Sequence, residues 1–262
     1  MNSLKLTSCI LMVLLIGCMP LAAQKQNDNV VQKVQKALAA AQVPTPLQEK
    51  ILADIKSNPE PFIESVKGVL AQDSYLWKLV DKTHGLDQTY EPEDLITLKN
   101  GSYLLNRSGL QLRKEAAQAL ETMAKAAKVD GVPLVVSSCY RSYDYQKQVY
   151  ERNVKSMGQA AADRESAKPG HSQHQLGLAV DFGSIDDSFA KTAQSRWLIK
   201  NAWRYGWSLS YPEHLEQVTG YRWESWHYRY VGLELSKFIR TYFDDIQQYA
   251  LAFLYYYAAG QP

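Results

Sequence analysis

Two segments of this chain interrupt an otherwise foldable apolar pattern with polar residues, and they constrain the fold more than any other feature. The first is Gly170-His171-Ser172-Gln173-His174-Gln175-Leu176-Gly177-Leu178-Ala179-Val180-Asp181. His174 and Asp181 are joined across Gly177 and the start of an apolar strand, Leu178 to Phe182, and they converge on one point if the glycine makes a turn or bulge. The second segment, Trp223-Glu224-Ser225-Trp226-His227, supplies another histidine and a carboxylate just ahead of it. Zinc accepts imidazole nitrogen and carboxylate oxygen, and a catalytic zinc keeps three protein ligands and an open position for water. His174, Asp181 and His227 would supply that set. Glu224 would then stand where a carboxylate can take a proton from water and pass it to a leaving amine, which is the logic of a metallopeptidase. Residues i and i+3 point to opposite faces of a regular strand, so Glu224 is expected before the strand begins or on a bulge.

The surrounding texture predicts an α+β fold. Leu112, Ala116, Leu120, Met123 and Ala127 lie at helical spacing, and Asp130-Gly131 closes that element. Val132 to Ser138 reads as a strand that delivers Cys139-Tyr140-Arg141 to a helix capped by Ser142 and running to Met157. Further on, Lys191 to Tyr205 reads as a helix ended by Gly206, and Tyr221 to Val231 as an aromatic-rich strand. Ahead of all this, residues 24–74 read as a helical extension, with one helix ended by Pro44 and Pro46 and a second starting after Pro59-Glu60-Pro61. Residues 236–262 read as a C-terminal helix packed on the domain.

The N-terminus predicts export. A short apolar run from Cys9 to Ile16 follows Lys5 and is far below the roughly 20 residues a bilayer span needs, so residues 1–23 read as a signal peptide. Leu15-Ile16-Gly17-Cys18 resembles a lipobox, which would make Cys18 a lipid anchor, whereas Ala22-Ala23 suits ordinary cleavage. Either outcome leaves Cys139 as the one ordinary thiol of the three cysteines, so no structural disulfide is expected. With 29 basic and 27 acidic residues and no long run of like charge, nothing points to nucleic acid.

Three segments carry a family resemblance: Tyr140-Arg141-Ser142-x-x-x-Gln146, the Ser172-to-Asp181 motif Ser-x-His-x-x-Gly-x-Ala-x-Asp, and Glu224-x-x-His227 within Thr219 to Gly232. In this order they resemble the VanY-type D-alanyl-D-alanine carboxypeptidases, over a domain of residues 75–235. The resemblance implies a small, mostly antiparallel sheet flanked by helices, with a zinc site on the sheet. It implies His174, Asp181 and His227 as zinc ligands, Glu224 as general base and Arg141 as the guanidinium that stabilises the oxyanion. It also implies that Ser172 and Gln146 line the place of the substrate's terminal residue, with Trp226 packed beside them. Gln173 departs from the family's common glutamate and Cys139 from its common small residue. His171, His84 and His214 are expected outside the ligand set. The implied activity is removal of the C-terminal D-alanine from peptidoglycan stem peptides, in the bacterial periplasm or cell envelope. The alternatives are an L,D-carboxypeptidase acting on tetrapeptide stems and a non-catalytic zinc-stabilised peptidoglycan-binding module. A degraded enzyme loses its base and oxyanion group before ligands that also support folding, so the presence of Glu224 and Arg141 argues against the binding module.

Overall fold

A computed structural model of the chain describes residues 21–260. The expected signal peptide, with Cys9 and Cys18, lies almost wholly outside the described residues. Three helices open the described chain: α1 (Leu21–Ala40), α2 (Thr45–Ser57) and α3 (Glu60–Leu70). The apolar spacing predicts only two helices here. Pro44 and Pro46 do end the first, but Pro46 also sits in the first turn of α2, where its missing N–H costs nothing.

The mixed region follows in chain order: β1 (Leu95–Thr97), β2 (Leu104–Leu105), β3 (Gln111–Arg113), α4 (Lys114–Val129), β4 (Val135–Ser138), α5 (Tyr143–Met157) and α6 (Gln159–Glu165). It continues with β5 (Ala179–Phe182), α7 (Ala193–Asn201), β6 (Trp207–Leu209), α8 (Glu216–Thr219) and β7 (His227–Tyr230), and the chain closes with α9 (Gly232–Tyr242) and α10 (Gln247–Ala259). The main sheet has the order β2-β4-β5-β7-β6. Only the β2–β4 pair in it is parallel, and the expected α+β class with a mostly antiparallel sheet holds.

Strand β5 is central and buried on both faces. Val180 and Phe182 enter a core with Leu120, Met123, Val136 and Trp207, while Asp181 faces the functional cleft. A second core joins α1, α2 and α3 to α9 and α10, where the Phe62 ring meets those of Phe238, Tyr242 and Phe253. Arg229, fully buried on β7, reaches from the sheet to the segment after α3 and donates through Nη2 to the carbonyls of Tyr75, Leu76 and Lys78.

Three expected elements need correction. The strand predicted from Tyr221 begins only at His227, because Arg222 N–H bonds to the Arg164 carbonyl and Glu224 N–H to that of Tyr211, so the preceding backbone joins loops and not a ladder. The helix predicted over Lys191–Tyr205 is α7 followed by a 3-10 turn, Ala202–Tyr205, with Gly206 left-handed at its end. The single C-terminal helix is two, parted at Asp244 and Asp245, both with positive φ. The very short strands β1, β2, β3 and β6 are additions to the expected elements.

Candidate metal centre

Local backbone chemistry sets each side chain of the site. Ser172 caps a 3-10 turn, Gln173–Leu176, by accepting the His174 N–H at 3.3 Å. Gly177 ends that turn at φ +70°, and a β-carbon there would lie 3.0 Å from Leu95 Cδ2 and 3.1 Å from Pro92 Cγ. This is the turn that lets His174 fold back over Asp181. Asp181 pairs directly with His227 across β5 and β7, so two of the three candidate ligands are cross-strand neighbours. Glu224 sits before β7, its carbonyl accepting the His227 N–H at 3.2 Å, which is the placement its spacing required.

His174, Asp181 and His227 are buried and offer one ligand atom each, all within 4.8 Å of one another. His174 Nδ1 lies 2.6 Å from the Cys139 carbonyl, an acceptor, so Nδ1 carries the proton and Nε2 holds a lone pair. That buried Nε2 has no hydrogen-bond partner although it is 3.2 Å from Asp181 Oδ2. His227 Nδ1 lies 3.0 Å from Asp181 Oδ1, and its Nε2 is 3.2 Å from Gln173 Oε1. The His174 Nε2 lone pair, the Asp181 carboxylate and His227 Nδ1 thus converge in a buried space, an arrangement that a divalent cation satisfies. Burial, with the nearby Arg141 charge, lowers His174 to about 4 and keeps its imidazole neutral, as a ligand must be. Burial opposes ionisation of Asp181, but the His174 and His227 rings beside it outweigh that and hold its carboxyl well below the ordinary range.

Glu224 Oε2 stands 3.7 Å from His227 Nδ1. Burial, and then the Asp181 charge, push the Glu224 carboxyl well above the usual carboxylate value. Arg141 donates from Nη1 to Gln146 Oε1 at 2.9 Å and from Nη2 to Asp181 Oδ2 at 3.3 Å, which fixes the guanidinium plane. Gln146 in turn donates to the Ala167 carbonyl at 2.7 Å, so its amide holds Arg141 in place. All of these residues, with Ser172, line one cleft of about 580 Å³. Trp226 borders the cleft and packs into the sheet core.

A family model described as VanY, D-alanyl-D-alanine carboxypeptidase, matches residues 109–233. A protein of Bacillus subtilis named putative carboxypeptidase YodJ is 39% identical over 178 residues, 65% of each chain, so the match spans just under two thirds of that relative's own length. The solved LdcB LD-carboxypeptidase, whose structure concerns peptidoglycan recognition, shares 37% identity at a TM-score of 0.58, over 64% of this chain and 85% of that one. The vancomycin-resistance D,D-pentapeptidase VanY, solved as a point mutant in complex with Zn(II), shares 34% identity at a TM-score of 0.54, over 63% of this chain and 93% of that one. The chain belongs to the VanY family of D-alanyl-D-alanine carboxypeptidases.

In this VanY-family chain the other histidines stand apart from the cluster. His171 Nδ1 bonds the Asp81 carbonyl, His84 bonds the Asp81 carboxylate and stacks edge-on against Tyr255 of α10, and His214 is exposed. Cys139 is fully buried and burial pushes its thiol upward, so its contribution to the site is its carbonyl. Two neighbours of the site carry no signal in the sequence. The Tyr211 ring lies 4.8 Å from the His227 ring, and nothing in its Tyr-Pro-Glu-His loop announces that contact. Gln247, far along the chain in α10, has no motif or spacing that ties it to the cluster.

Proposed function

We propose that this protein is a zinc-dependent carboxypeptidase that removes the C-terminal D-alanine from peptidoglycan stem peptides, acting in the cell envelope as a D,D-carboxypeptidase. The observation that carries this reading is the buried convergence of His174, Asp181 and His227 beside Glu224 and Arg141 in one cleft. The Zn(II) in the related D,D-pentapeptidase supports zinc as the cation. Bound zinc supplies a Lewis acid that polarises the scissile carbonyl and acidifies water. Glu224 Oε2 takes the proton of the attacking water as its oxygen bonds to the carbonyl carbon. When the carbon–nitrogen bond breaks, Glu224 returns that proton to the departing amine of D-alanine. The raised Glu224 carboxyl makes it a stronger base toward the attacking water and holds the proton it takes until the amine departs. Arg141, held by Gln146 and Asp181, places positive charge where the carbonyl oxygen becomes negative. Ser172 and Gln146 frame the pocket for the terminal residue, with Trp226 at its edge.

Similarity to LdcB favours the second reading, an L,D-carboxypeptidase acting on tetrapeptide stems. Incubation of the zinc-loaded protein with a pentapeptide and a tetrapeptide stem, read by mass, separates the two. Loss of one D-alanine from the pentapeptide alone is the expected result. Loss from the tetrapeptide alone would assign the L,D activity instead, and loss from neither would refute a carboxypeptidase acting on these stems.

A further inference from the structure

The family match ends at residue 233, yet a residue beyond it reaches the candidate metal centre. Gln247 is the first residue of α10, and its side chain is buried behind the site with Gln173 and Ser210. Gln247 Nε2 donates to the Ser208 carbonyl on β6 at 3.2 Å. A carbonyl can only accept, so this bond fixes which end of the Gln247 amide is nitrogen and turns Oε1 toward Gln173. Gln247 Oε1 accepts from Gln173 Nε2 at 3.3 Å and also from Ser210 Oγ at 3.3 Å, and two oxygens facing each other there would repel, so Gln173 presents its nitrogen. Gln173 Oε1 therefore faces the other way, where it accepts from Ser210 Oγ at 2.7 Å and from His227 Nε2 at 3.2 Å.

We infer that Gln247 is a positioning residue for the metal centre: by polarising the Gln173 amide it holds the His227 proton on Nε2 and leaves the Nδ1 lone pair directed at Asp181 for a cation. The inference rests on the reading of His227 as a metal ligand. A glutamate at position 173 would accept from His227 through either oxygen and would need no orienting partner. A glutamine has two unlike ends and needs one, and Gln247 provides it. Without Gln247 the Gln173 amide can turn its NH2 group to His227 Nε2, which moves the imidazole proton to Nδ1 and removes the ligand lone pair.

The test is zinc affinity of the full chain, measured by competition with a chelator, for the wild type, Gln247→Met, and Gln247→Met combined with Gln173→Glu. Gln247→Met should weaken zinc binding about 10- to 100-fold, the range for loss of a partner behind a metal ligand. Adding Gln173→Glu should restore most of that affinity, which a merely structural role for Gln247 would not allow. Unchanged affinity in Gln247→Met, or no recovery in the double variant, overturns the inference. If Gln247→Met does not fold, histidine nitrogen spectra of the metal-stripped wild type decide, because there the proton's place reports the protein's own hydrogen bonds. A proton on His227 Nε2 supports the relay and a proton on Nδ1 overturns it. Zinc binding without peptide cleavage in the wild type would refute the proposed activity and leave this inference standing, whereas failure to bind zinc would refute both.

Discussion

The proposed division of labour between ligands and base is set residue by residue. His174 owes its neutral imidazole and its aimed Nε2 to burial and to a single backbone carbonyl, that of Cys139. Glu224 is buried like the candidate ligands and stands 3.7 Å from His227 Nδ1, at the edge of the candidate metal centre. Glu224→Ala should therefore keep zinc near one equivalent per chain, measured by metal analysis, while turnover falls at least about 100-fold, the low end of general acid–base contributions. His174→Ala should lose the metal along with activity. Loss of zinc in Glu224→Ala would instead make Glu224 a ligand.

At the level of elements, the site depends on one turn and one strand pair. Gly177 adopts a left-handed conformation in a space closed by Leu95, Pro92 and Arg113. Gly177→Ala should cost about 2 kcal/mol of stability from the backbone conformation alone, read from urea unfolding, and unchanged stability would mean the turn relaxes freely. The candidate ligand cluster is legible in the sequence because Gly177 and the apolar run after it announce a turn and a strand, and because Asp181 interrupts that run. The helices are legible wherever apolar spacing is sustained, as in α4, or where a cap marks the start, as Ser142 does for α5. The strands β1, β2, β3 and β6 span only two or three residues, too few for an alternating pattern to register. Composition overstates the extent of β7 because the aromatic residues from Tyr221 suit a strand, while the backbone there bonds to Arg164 and Tyr211.

Across the whole molecule, two cores are locked together in a way no local pattern reveals. The helical core joins residues near both ends of the described chain, and Phe62 packing on Phe238 and Phe253 makes α3, α9 and α10 one unit. That unit meets the sheet through buried polar links, with Arg229 reaching the carbonyls after α3 and Gln247 reaching Gln173 across 74 positions of sequence. Such long-range pairs leave no periodic trace, so the polar neighbours behind His227 are visible only in three dimensions. No described helix is long and apolar enough to cross a membrane. The proposed function of this cleft hinges on a single cation held by His174, Asp181 and His227. Zinc titrated into metal-stripped protein, with D-alanine release from a pentapeptide stem followed throughout, tests that dependence most directly. The expected result is release that rises with added zinc and levels off at one equivalent per chain. Release that is already full without metal, or that stays absent after one equivalent binds, would contradict it.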